Sequence, residues 1–145
     1  MLVKDIRKGD ILWSDYKVKC VVYTPVESAL MSRHKNGLLI TPYYPICLDG
    51  TWTFPSKVLP TKEHHNLGGY YNFVLESGHI VVINGVEVCT LGHGFKMNST
   101  IQHPYLGTDA VLKDLATIPG YAEGFVVLDE AAAKRGPGGI VIGVV

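Results

Sequence analysis

The sequence predicts an all-β fold of about ten short antiparallel strands followed by one helix, judged from the count of apolar runs and the turns between them. Three observations carry this. Short runs rich in Val, Ile, Tyr, Phe and Thr recur along the chain and are broken by Asp, Ser, Pro or Gly. The dipeptides Asn36-Gly37, Asp49-Gly50 and Asn84-Gly85 each separate two apolar runs, and two-residue hairpin turns need the positive φ angles that these residues tolerate. Only residues 108–118 place apolar side chains at helical spacing.

Composition bounds the rest. At 145 residues and 15.9 kDa the chain is sized for one domain with a sizeable core. Thirteen Lys and Arg balance thirteen Asp and Glu, so no net field favours nucleic acid or an anionic membrane, and no nucleic-acid partner is expected. Cys20, Cys47 and Cys89 are odd in number and widely spaced, which fits neither a disulfide framework nor a zinc ribbon and reads as buried thiols. The start, Met1-Leu2-Val3-Lys4-Asp5-Ile6-Arg7, lacks the apolar run of a signal peptide, and no stretch approaches the ~18 apolar residues of a membrane span. The expectation is a soluble, intracellular chain with no membrane span.

Taken in order, residues 2–10 alternate apolar and polar and then turn at Lys8-Gly9-Asp10, as a half-exposed strand should. Residues 11–13, 18–24 and 29–33 read as further strands. Leu38-Leu39-Ile40 reads as a buried strand that Thr41 closes, and Pro42 and Pro45 bracket Tyr43 and Tyr44 in a rigid kink that is neither helix nor central strand. Residues 55–69 dissolve into Ser, Lys, Pro, Thr, Glu, His and Asn and read as a surface loop. Order returns in residues 70–89, with two strands flanking Ser77-Gly78 and a third after Asn84-Gly85. Thr108 or Asp109 caps the helix, Val111, Leu112, Leu115 and Ile118 form its apolar face, and Pro119-Gly120 stops it. Residues 125–128 and 140–145 read as strands around a polar loop.

A strand ending in Thr41-Pro42-Tyr43-Tyr44-Pro45, followed by Asp49-Gly50-Thr51-Trp52-Thr53-Phe54-Pro55, resembles a Hint domain, the self-cleaving fold of hedgehog C-terminal domains and inteins. The closest resemblance is to the Vint branch, found fused to von Willebrand A domains. Two further blocks agree: residues 3–10, similar to the end of the first Hint motif, and Asn72-Phe73-Val74-Leu75-Glu76-Ser77-Gly78-His79, similar to the late intein motifs. The resemblance implies a horseshoe of short antiparallel strands. It divides the chain into a Hint core over residues 1–95, lacking its first segment, and a C-terminal extension over 96–145 that resembles an adduct-recognition region.

The resemblance also implies a chemistry. In the family a leading Cys or Ser attacks the preceding peptide carbonyl, and the resulting thioester or ester is opened by an outside nucleophile. A Thr-x-x-His box assists, its threonine polarising the carbonyl and its histidine handling protons. Here the box reads Thr41 to Tyr44, with tyrosine in place of the histidine, and the opening segment with the nucleophile is absent from the sequence. The implied catalytic set is Thr41, Tyr44 and His79, the last at a position where the family carries a histidine that supports the fold and sometimes the site. An intein would end this region with His-Asn, whereas the chain reads Val88-Cys89-Thr90. The resemblance therefore implies cleavage without splicing, in a truncated or inactive form. The alternatives are a non-enzymatic binding module and one half of a split domain.

The implied partners are an N-terminally fused polypeptide and a small nucleophile such as water or a thiol, with a homodimer or swapped dimer through an exposed sheet edge as a further expectation. No cofactor and no metal are expected: Cys89 and His93 lack a matching second pair of ligands. Cys20 and Cys47 lie in apolar strand contexts where a thiol is usually inert, and His64, His65 and His103 read as loop residues. The aromatic residues near the kink, Tyr43, Tyr44, Trp52, Phe54, Tyr70, Tyr71 and Phe73, read as core filling.

Overall fold

A computed structural model describes residues 3–12, 16–95, 98–136 and 141–144. The strands in chain order are β1 (Val18–Pro25), β2 (Ala29–Arg33), β3 (Leu39–Ile40), β4 (Ile46–Leu48), β5 (Thr51–Thr53), β6 (Thr61–His64), β7 (Gly69–Leu75), β8 (Ile80–Ile83), β9 (Val86–Cys89), β10 (Phe125–Val127), β11 (Lys134–Arg135) and β12 (Val141–Gly143). Among the described residues two α-helices interrupt them, the single turn α1 (Pro55–Val58) and α2 (Asp109–Leu115). The fold is all-β. Its strands form sheets ordered β10-β1-β7, β3-β2-β6 and β5-β4-β9-β8, with β11-β12 as a separate ribbon. Among the described residues no helix is long and apolar enough to cross a membrane.

The sheet β10-β1-β7 is buried on both faces, and its side chains divide accordingly. Val18 and Val21 of β1 with Phe73 and Leu75 of β7 enter one apolar cluster, shared with Ile40, Ile46, Val81 and Val88. Cys20 and Val22 of β1, Val74 of β7 and Val126 of β10 enter a second, which Val111 and Leu115 of α2 close. The strand period of two produces this division, and a register shift between Val18 and Cys20 restarts the alternation. The helix forms where its pattern predicts it. The Thr108 hydroxyl oxygen accepts the Ala110 N–H at 3.3 Å, a cap worth about 1 kcal/mol.

All three turn dipeptides close hairpins: β2–β3, β4–β5 and β8–β9. Asp49-Gly50 and Asn84-Gly85 have positive φ at both positions, the two-residue turn that matches strand twist. At Asn36-Gly37 only Gly37 does. There the Gly37 N–H bonds to the His34 carbonyl and the His34 N–H to that of Leu38, which makes a longer turn with glycine at its left-handed position.

Several local expectations are corrected. Residues 3–5 form a 3₁₀ turn, Val3–Asp5, instead of a strand, because local polar bonds win: Arg7 donates its side chain to the Lys4 and Ile6 carbonyls and its backbone N–H to the Asp10 carboxylate at 2.8 Å. Leu2 lies outside the described residues. The tight turn at Gly9 forms, with φ of 91°. Ile11 makes a single bridge to Lys17, and Trp13 lies outside the described residues. Residues 55–69 are not a loop. They hold α1, started by Pro55 at its first position, and β6, which pairs with β2 from Ala29↔His64 to Ser32↔Thr61. The open edge of β2 recruits this polar strand, and the buried Ser32 hydroxyl meets Thr61 Oγ1 at 2.7 Å. Among the described residues one strand pairing is parallel instead of antiparallel, β1 with β10. The polar loop near the C-terminus contains a 3₁₀ turn, Glu130–Ala132, and β11, and residues 140 and 145 lie outside the described residues.

Candidate functional site

The Pro-braced kink is held at three points. The Tyr44 N–H reaches the Thr41 carbonyl at 3.3 Å, the Ser56 N–H reaches that of Pro42 at 2.9 Å, and the Cys89 N–H reaches that of Pro45 at 3.4 Å. The prolines have already removed much of the backbone freedom, so these bonds fix where the two tyrosines go. Tyr43 turns outward, 72% exposed, against the edge of Phe54. Tyr44 turns inward and packs against both apolar clusters.

Thr41 and Tyr44 line one cavity of about 450 Å³, together with Asn72, Cys89 and, from the start of the chain, Val3 and Ile6. The first two are therefore brought together beside Val3 and Ile6. Burial pushes the Tyr44 phenol well above its ordinary pKa, the neighbouring Cys89 adds to the shift, and the Asn72 amide opposes it. A neutral phenol is a hydrogen-bond donor here, not a proton shuttle. Burial likewise drives the Cys89 thiol up to about 12 and the Cys20 thiol up to about 11, while Cys47 is raised by burial and by Glu87, the residue opposite it across β4 and β9. At neutral pH all three thiols are protonated and poor nucleophiles.

His79 does not line this cavity. Its ring stacks on Phe95 at 4.1 Å and lies 6.4 Å from the ring of His93, and burial lowers its pKa. His93 and His103 act as caps for backbone groups. His93 Nδ1 accepts the Phe95 N–H at 2.9 Å while its Nε2 meets the Ile101 carbonyl, and His103 Nδ1 accepts both the Tyr105 and Leu106 N–H groups. Beside the cavity, at the exit of β9, the buried Thr90 hydroxyl has no hydrogen-bond partner among the described residues.

Residues 1–143 match the model of the Vint family, described as a Hint-domain. The chain belongs to this family. No curated protein matches it. Membership makes it an autoprocessing-type domain in general, and the Vint resemblance of the Thr-Pro-Tyr-x-Pro kink now has a spatial meaning: the kink forms one wall of a cavity next to the N-terminal residues. The sequence pattern alone does not single out Asn72 as a site residue. Its signal is a lone amide in the apolar strand Tyr71-Asn72-Phe73-Val74, where a polar side chain needs a partner.

Proposed function

We infer that the domain is built for self-cleavage of the hedgehog or Vint kind, at a peptide bond held in the Thr41–Tyr44 cavity, and that Tyr44 leaves this copy slow or silent. The observation that supports this reading most is that Thr41 and Tyr44 share one cavity with Val3 and Ile6. In the reaction, an upstream Cys or Ser attacks the preceding carbonyl carbon. The new C–S or C–O bond forms as the C–N bond breaks, and the departing nitrogen takes a proton. An outside nucleophile then opens the thioester or ester.

Thr41 would donate a hydrogen bond to the carbonyl oxygen as charge develops there. The departing nitrogen needs a donor that can be recharged. An imidazole with a pKa of ~6.5 does this at neutral pH, and a phenol near ~10 does not; burial moves Tyr44 further in the wrong direction. The chain's own three cysteines are protonated and poor nucleophiles, so the attack is assigned to none of them and falls to the leading Cys or Ser of the family's reaction. Splicing is excluded from the proposal, since Cys89-Thr90 stands where a cyclising Asn would be needed. Residues 96–145 are assigned the recognition of the incoming nucleophile.

The test is a reporter fused through a short Cys-led segment to the N-terminus, with and without Tyr44→His. Restoring a positioned acid–base group is expected to raise thiol-stimulated release by roughly a hundred- to ten-thousand-fold. No release from the histidine variant would refute the chemistry. A second reading, a binding module without catalysis, is favoured by the neutral character of the cavity floor, where both Tyr44 and Cys89 resist ionisation.

A further inference from the structure

Three sheets end at the same cavity. β3, β7 and β8 are each the terminal strand of their sheet, and Leu39, Tyr71 and Val82, one from each, line the cavity. Pairing parity decides which of their main-chain groups are free. Ile83 and Val86 flank a two-residue turn and exchange bonds, so Val82 turns its N–H and C=O away from β9. The His34 N–H is bonded to the Leu38 carbonyl, so Leu39 turns its own groups away from β2. On β7 the Phe73 carbonyl points outward and is taken by the Leu91 N–H, which puts the N–H and C=O of Tyr71, two residues earlier, on that same outer edge. Among the described residues these groups of Leu39, Tyr71 and Val82 have no backbone partner.

Unpaired N–H and C=O groups on strand edges are a ready template for a further strand. Here they border an apolar space walled by Ile40, Phe73 and Val81, which suits a chain with apolar side chains at alternate positions. We propose that the cavity receives an extended peptide segment, bound main chain to main chain along the outer edge of β7 and at least one of the edges of β3 and β8. A free segment fits better than a second copy of the domain, because the edges line a cavity of about 450 Å³ between strands of three sheets, and a sheet edge of another copy would bring its neighbouring strands with it. This deepens the function proposed above and rests on it only for which bond is presented to Thr41. The binding stands on the edges alone.

The test uses the full chain and a short capped peptide alternating Val and Thr between terminal lysines, with amide hydrogen exchange as the readout. The peptide is expected to slow exchange at Tyr71 and at Leu39 or Val82 by at least about tenfold, and N-methylation of alternate residues, in one phase or the other, to weaken binding by at least about tenfold. Protection confined to other edges, equal binding by both N-methylated peptides, or protection that grows with protein concentration in the absence of peptide each overturns the proposal. Protection with no cleavage by the Tyr44→His fusion keeps the binding site and removes the chemistry. Cleavage with no protection does the reverse.

Discussion

The two faces of the β10-β1-β7 sheet are made of the same kind of residue and end differently. On one, Cys20, Val22, Val74 and Val126 meet α2, and Val111 and Leu115 close the cluster. On the other, Val21 and Phe73 meet strands from two further sheets, and the space between them opens as the cavity that holds Thr41 and Tyr44. A helix is a single cylinder and seals a flat face, whereas strands arriving from separate sheets meet edge-on and leave a gap. The closed face supplies stability and the open one the candidate site. Tyr44, in contact with both, couples them.

Truncating the closed face should do the most damage. Leu115 is fully buried, and Leu115→Ala is expected to cost roughly 2–5 kcal/mol of unfolding free energy in a urea titration. Val82→Ala, at the half-buried cavity edge, is expected to cost less than about 1.5 kcal/mol. Equal losses would mean that the cavity is as tightly packed as the helix interface, and the contrast between the faces would be lost.

Acid should act on the segment that links the two faces. His93 and His103 hold their Nδ1 atoms as acceptors for the N–H groups of Phe95, Tyr105 and Leu106, and burial lowers both pKa values, with His79 lowering that of His93 further. The unfolded chain, with histidines near ~6.5, binds protons first as pH falls. Stability is therefore full above that value and declines as pH drops from it toward the lower folded pKa values. Thermal unfolding between neutral and mildly acidic pH measures this. His103→Asn keeps an acceptor for the two N–H groups without a titrating ring and should flatten part of the decline; an unchanged slope would mean that His103 plays no part.

The strands that carry their own punctuation were legible in the sequence. β1, β2 and the β8–β9 hairpin lie where β-branched runs and Asn-Gly or Pro place them, and α2 lies where Thr108 caps it. The misread segments are those that tertiary pairing decides. Residues 61–64, Thr-Lys-Glu-His, have nothing intrinsic to make them a strand and form one because β2 has an open edge. Residues 3–5 alternate like a strand and curl because Arg7 and Asp10 bond locally. At the site, Thr41 and Tyr44 are three residues apart within one kink, and so a sequence pattern captures them. Asn72 and Cys89 come from separate strands, and only the sheet topology brings them to Tyr44.

Thr90 marks the seam, between Cys89 at the cavity and Leu91 in the second cluster. A buried hydroxyl without a partner carries its desolvation cost uncompensated. Thr90→Val keeps the shape and removes that cost, so a gain of about 1 kcal/mol in unfolding free energy is expected. A loss instead would show that the hydroxyl is bonded in solution. If the variant also lowered release from the Tyr44→His fusion, the hydroxyl would belong to the open face and its chemistry.

The smallest effect on stability is expected where the open face is held together at its rim. Asn36 Nδ2 donates to the Asn84 carbonyl at 3.3 Å and Asn84 Nδ2 donates to the Asn36 carbonyl at 3.4 Å, so the tips of two hairpins from different sheets clasp each other. Both bonds are long and exposed, which limits their joint worth to less than about 1 kcal/mol. Asn36→Ala together with Asn84→Gly removes both; glycine suits the positive φ of position 84, so backbone strain does not enter. The urea midpoint should hardly move, while amide exchange at the β3 and β8 ends of the hairpins speeds up, because those strands, unlike β1, have a partner on one side only. If exchange there is unaltered, the sheets are positioned by the core beneath and the clasp does not set the width of the cavity mouth.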